Sequence, residues 1–204
     1  SAGMVIDAAK GIEARTRKLF EICRLRDIPI VTFVNKMDRE SKDPLELLDE
    51  IAQTLQLETA PATWPIGRGR DFKGTVERGS GRIRLREEAD RAGGVAEVTL
   101  ESLLGSGAAL VKEELELIEA GYPPVEKQPF LEGNLTPVFF GSALKNFGVV
   151  ALLEGLIALA PPPRDQQADR RTVHAEEAKL TGFVFKIQAN MDPQHRDRIA
   201  FVRL

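Results

Sequence analysis

Short, almost wholly apolar runs alternate along this chain with longer stretches whose apolar residues recur at helical spacing. Met4-Val5-Ile6 is the first run, and Asp7-Ala8-Ala9-Lys10-Gly11 is its exit loop. From Ile12 to Arg26 the residues Ile12, Leu19, Phe20, Ile22, Cys23 and Leu25 predict an amphipathic helix, with Arg and Lys between them. Pro29 bars its continuation. Ile30 to Val34 is apolar almost throughout, as a parallel strand buried on both faces should be. Asp43-Pro44 predicts the next helix start, with Asp as N-cap and Pro at the first helical position. Glu46 stands where a capping box would place it, and Leu45, Leu47, Leu48, Ile51, Leu55 and Leu57 form the predicted buried side. Thr136 to Phe140 is another buried strand, exiting into Gly141-Ser142-Ala143-Leu144. Gly148 to Ala160 predicts an apolar helix, stopped by Pro161-Pro162-Pro163. Strand and helix in this order predict βαβ units and an α/β fold.

The alternation breaks between about residues 66 and 130. Asp71 to Glu77 and Arg82 to Arg86 alternate with period two around Arg78-Gly79-Ser80-Gly81, which predicts a half-exposed hairpin. Glu97 to Leu104 and Ala108 to Ala120 predict amphipathic helices, the second rich in Glu. The segment reads as an inserted α+β subdomain. Trp64, between Pro61 and Pro65, is expected to pack where this insert leaves the core. Arg164 to Lys179 is polar and reads as a linker. Thr181 to Ile187 and Arg198 to Leu204 predict the first strands of a β domain. A strand almost at the first residue, and another running into the last, give the expectation of a piece of a longer protein.

Composition adds bounds. The 204 residues are 43% hydrophobic and 29% charged, enough for one well-buried domain and part of another. A net charge of −3 gives no reason to expect nucleic-acid binding from overall charge. The single cysteine, Cys23, excludes an internal disulfide framework and suits a reducing compartment; it is expected to be a small buried residue on its helix. No apolar run approaches the roughly 20 residues of a membrane span. No metal-ligand cluster stands out.

The chemistry sits at two strand exits. Asn35-Lys36-Met37-Asp38 follows the second strand. An ionised Asp only accepts hydrogen bonds, and guanine offers N1–H and N2–H side by side. Adenine would set a lone pair against the same carboxylate. A pocket built on such a match rejects the unmatched analogue by roughly 10⁴–10⁵. Asn35 can donate to the ring or tie neighbouring loops together, and the Lys36 stem can lie along the base while its ammonium stays hydrated. Gly141-Ser142-Ala143-Leu144 is the second exit, where small side chains let a backbone N–H reach guanine O6.

Together Asn35-Lys36-Met37-Asp38-Arg39 and Gly141-Ser142-Ala143-Leu144 resemble the fourth and fifth guanine-nucleotide motifs of translational GTPases. The long insert between them is similar to that of elongation factor G and of the peptide chain release factor 3 family. The closer resemblance is to the latter, through Lys10 to Thr16, Arg26 to Ile30, Asp43 to Glu50, Phe139 to Leu144 and Thr181 to Asp192. It implies the C-terminal half of a P-loop GTPase-type parallel sheet over residues 1–65 and 131–163. It further implies a G′-like insert over 66–130, a linker over 164–179 and the start of a β-barrel domain over 180–204. It implies GTP/GDP as ligand, with Asn35, Lys36, Asp38, Ser142, Ala143 and Leu144 as base-binding residues. The resemblance implies Mg2+ for the full-length protein only. The implied partners are the ribosome, stop-codon-reading release factors and, through the insert, ribosomal stalk proteins; the implied location is cytoplasmic, without a membrane.

The chain contains no G-x-x-x-x-G-K-[ST]. His174 and His195 lie outside both motifs, so no residue here is expected to be catalytic. The chain alone is therefore expected not to hydrolyse GTP and to bind it weakly. Its first strand is expected to leave an apolar edge through which copies could associate. The basic residues Arg68, Arg70, Lys73, Arg78, Arg82, Arg84 and Arg86, and the acidic Glu97, Glu101, Glu113, Glu114, Glu116 and Glu119, fit two readings. They form solvated faces that pair with one another, or a docking surface. The alternatives in function are elongation factor G or a ribosome-protection relative, and, in another class, a non-catalytic protein–protein module.

Overall fold

The computed structural model describes residues 1–85, 99–189 and 198–203. It divides into two units, Ser1–Ala160 and Pro161–Leu204.

The first unit is built on β1 (Ala2–Asp7), α1 (Ala14–Leu25), β2 (Ile30–Asn35), α2 (Pro44–Leu55) and β3 (Glu58–Pro61). The insert supplies β4 (Thr63–Ile66), β5 (Gly74–Glu77), β6 (Ile83–Leu85), α3 (Leu100–Leu104), α4 (Ala108–Gly121) and α5 (Lys127–Leu131). β7 (Leu135–Phe140) and α6 (Val149–Leu159) complete it. The main sheet has the order β1-β2-β7-β3, all parallel. Helices cover both faces. On one, Ile6, Val34, Val138 and Phe140 meet Leu47, Leu48, Ile51 and Leu55 of α2 and Phe20 of α1. On the other, Val31, Phe33 and Phe139 meet Phe130 of α5 and Ala151 and Leu159 of α6. This is the α/β architecture that the apolar runs predict.

Pro137 lies inside the central strand β7 and can donate no ladder bond. The pairing of β7 with β2 starts only at Thr32↔Val138, one residue further on. Thr136 Oγ1 supplies the donor instead, reaching Ile30 O at 2.9 Å, and sits 2.8 Å from Thr32 Oγ1. Two buried hydroxyls thus fix the register of the strands that carry both loops.

Several elements differ from the sequence expectation. β3 and α5 were not anticipated. The insert's sheet, β4-β5-β6, takes in Thr63 to Ile66 besides the predicted hairpin. Arg86 and Glu97 lie outside the described residues. The Asp43 cap is a single bond, Leu45 N–H to Asp43 Oδ1 at 3.0 Å, rather than a reciprocal box. Leu19, Ile22 and Leu25 of α1 are exposed, because the helix turns Phe20 into the core, with Cys23 packed against it. Cys23 is half-buried. β1 is an edge strand, and its Val5 is exposed.

The insert shares the main core. Trp64 of β4 is buried, edge-on to Phe140 at 5.5 Å, and its Nε1–H donates to Glu114 Oε2 at 2.8 Å. Thr63 Oγ1 accepts from Phe140 N–H at 3.0 Å. Ile118 of α4 packs in the same cluster.

In the second unit the polar stretch holds a small pair, β8 (Gln166–Gln167) with β9 (Thr172–Val173). β10 (Phe183–Ala189) then pairs antiparallel with β11 (Arg198–Arg203). His174 is exposed and pairs with Asp165 at 2.8 Å. His195 and Asn190 to Asp192 lie outside the described residues. No described helix is long and apolar enough to cross a membrane.

Candidate functional site

Because β2 and β7 are neighbours, their exits emerge side by side at the carboxyl edge of the sheet, where ligands of open parallel sheets bind. Backbone bonds join them directly. Met37 N–H donates to Gly141 O at 3.0 Å, and Gly141 N–H to Val34 O at 2.9 Å. Gly141 has no room for a side chain, since a Cβ there would collide with Phe147 O and the Phe33 ring.

Asn35 ties the loops together. Its Oδ1 accepts from Lys36 N–H at 2.8 Å and from Ala143 N–H at 2.9 Å, across 108 positions of sequence. Of the two roles open to Asn35, the structure shows the tie. The Ala143 N–H is engaged by this tie. Replacing Asn35 by Ala strands two loop donors. The expected cost is about 1–3 kcal/mol, read as a lower urea midpoint for the N35A variant; a wild-type midpoint would contradict the tie.

Lys36 has φ +71°, a conformation uncommon outside Gly and often found at functional sites. The Asn35 bond to its N–H and the ion pair at its tip both hold it there. Its Nζ lies 2.6 Å from Asp7 Oδ2, at the end of β1. The ammonium is thus paired rather than only hydrated, because three strand exits, β1 and β2 adjacent, crowd one edge. The Lys36 bond holds the Asp7 carboxyl below its usual value, outweighing the opposing effect of burial, with help from the Ala9 N–H.

That depression fixes a pH dependence. A carboxyl with a lower pKa when folded contributes stability above its unfolded value, about 4, and loses it as pH falls through the folded value. Unfolding midpoints of wild type and Lys36→Met should therefore differ at pH 7 and converge as the pH drops below about 4. A gap that stays constant down to low pH would assign the difference to packing instead.

Asp38 is the most enclosed of the site carboxylates, with its side chain 8% exposed. Burial pushes its pKa up; the neighbouring Ser142 hydroxyl and the Lys145 ammonium, 3.2 Å from Oδ2, more than offset this, and it stays below the ordinary range. Ser142 Oγ is buried and stands beside Asp38, yet it closes no hydrogen bond of good geometry. An ionised acceptor and a buried hydroxyl therefore stand side by side. Ser142 is held by paired bonds with Phe147, its N–H to Phe147 O at 3.1 Å and Phe147 N–H to its carbonyl at 2.9 Å. Leu144, on the following turn of 3-10 helix, is exposed.

Asp7, Lys145 and Phe147 were not read from the sequence. Asp7 carried a signal, an acid at a strand exit, but its partner depends on strand order. Most of the insert's basic residues are already committed. The Arg78 side chain is enclosed, donating to Tyr122 O and Pro123 O at 2.7 Å each and pairing with Glu119 at 3.1 Å. Arg84 pairs with Glu77 and Glu154, Arg68 with Asp43 at 3.2 Å, and Lys73 donates to Leu103 O at 3.3 Å. Among the described residues no group of three or more His, Cys, Asp or Glu is placed to hold a metal ion.

Compared with known families, residues 1–162 match the one described as the elongation factor Tu GTP binding domain.

Proposed function

Since this chain belongs to the elongation factor Tu GTP-binding domain family, we propose that Asn35, Lys36, Asp38, Ser142, Ala143 and Leu144 form the guanine-reading part of its nucleotide site. The observation that carries this is the pairing of an enclosed, ionised Asp38 with an unpartnered Ser142 hydroxyl, on two loops that Asn35 locks together. Asp38 accepts guanine N1–H and N2–H. O6 approaches the Ala143 N–H and shares it with Asn35 Oδ1 as a three-centre bond. The Lys36 stem lies on the face of the base. These residues are assigned to the base alone, and no phosphate or magnesium step is routed through them.

The finer reading is a ribosome-associated GTPase of translation termination, of the peptide chain release factor 3 kind. It promotes departure of stop-codon-reading factors. The sequence resemblance set out above supports it, and its partners are the ribosome and those factors.

The test is a titration of the isotope-labelled chain with GDP and with ADP at millimolar concentration, which detects weak binding. GDP should shift the amides of Asn35 to Asp38 and Ser142 to Lys145, and ADP should not. Equal shifts with both, or shifts elsewhere only, would overturn the assignment.

A further inference from the structure

Among the described residues, one turn of the insert reaches both loops of the site. Gly67 and Gly69 have φ of +73° and +62°, and between them and Phe72 the chain makes a tight turn containing 3-10 helix at Gly69–Asp71. Gly69 N–H donates to Met37 O at 2.8 Å. Met37 is fully buried and lies between Lys36 and Asp38. A Cβ at Gly69 would sit 3.7 Å from Arg39 O, so the turn lies close along the first loop. Three residues on, the Phe72 ring packs edge-on against Phe147 at 5.0 Å. Phe147 is the residue bonded twice to Ser142. One short turn therefore buttresses both loops, the first through its backbone and the second through a ring.

Phe72 packs in the main core, not in the cluster internal to the insert. Ile66, Val76, Leu100, Ala108 and Val111 form a separate cluster within it. The turn is instead tied outward, by the Gly69 bond, the Phe72 ring and the Arg68–Asp43 pair at 3.2 Å.

We infer that the turn Gly67–Phe72 is a positioning element for the base pocket, through which the insert sets how well Asp38 and Ser142 converge on guanine. The inference rests on the guanine reading above. Phe72 touches no base; it acts through Phe147 and Ser142. Small shifts at such a contact matter because a charged acceptor must meet two donors at once.

The experiment compares GDP with inosine diphosphate, which lacks the N2 amine and so one of the two donors to Asp38. In wild type, GDP should bind more tightly than inosine diphosphate. Phe72→Ala should weaken GDP on the order of tenfold, the scale of coupling between linked sites, and weaken inosine diphosphate less, so their ratio falls. Phe72→Leu, which keeps most of the volume, should fall between. Emission of Trp64, the single tryptophan, reports that the insert stays folded. Equal loss for both nucleotides, or no loss, would overturn the inference. Without nucleotide, Phe72→Ala should also shift the amides of Met37, Asp38 and Ser142; unchanged amides there would overturn it whether or not the chain reads guanine. Absence of any GDP preference in wild type would instead count against the guanine reading itself.

Discussion

Replacing Asp38 by Ala is expected to collapse the preference for guanine over adenine nucleotides. The carboxylate is enclosed and ionised, with Lys145 Nζ 3.2 Å from one oxygen. On the proposed reading two donors of guanine meet it, and hydrogen bonds to a charged group are worth about 1.5–3 kcal/mol each. Losing both lowers GDP affinity by roughly two to four orders of magnitude. ADP, which never satisfied the carboxylate, changes little or gains. The fold should tolerate the change, because the stranded Lys145 ammonium is half-exposed and can hydrate. Titration of wild type and D38A with GDP and ADP checks this. A variant that still prefers GDP by the wild-type margin would move the base reader elsewhere.

The largest stability effect is expected at Trp64. Removing a large buried aromatic costs about 3–5 kcal/mol, against a whole-domain stability of about 5–15 kcal/mol. Three losses combine in Trp64→Ala: a cavity beside Phe140, the edge-on ring contact at 5.5 Å, and the Nε1–H bond to Glu114. Phe140 ends the strand that leads into the second loop, so the cavity opens directly beneath the site. Trp64→Phe keeps a ring against Phe140 and gives up the bond to Glu114, for about 1 kcal/mol. Urea unfolding followed by circular dichroism orders the three proteins. A W64A midpoint close to that of W64F would show that the site relaxes around the missing ring.

Much of the fold was legible because it is written locally. Ile30 to Asn35 is almost uninterrupted apolar sequence, and a strand buried on both faces demands that. Asp43-Pro44 marks a helix start by cap chemistry alone. β3 and β4 escaped because Glu58 to Pro61 and Thr63 to Ile66 are short and each contains a proline. Proline argues against a strand unless the missing donor falls at an edge, and β3 is an edge strand of the main sheet. The exposed Leu19, Ile22 and Leu25 show the opposite failure: helical spacing predicts a buried stripe but cannot say whether anything packs against it.

The same division runs through the site. Residue order alone says that two loops follow buried strands, that one presents Asn, Lys and Asp, and that the other is built of small residues. Residue type and turn chemistry carry that information. How those groups are spent depends on contacts that exist only in the folded chain. Lys36 finds Asp7 across 29 positions, and Asn35 finds Ala143 across 108. Lys145 covers Asp38, and a turn of the insert buttresses both loops. These pairings follow from the strand order β1-β2-β7. No local pattern encodes that order, because it is set by which apolar faces pack together once the whole chain has collapsed.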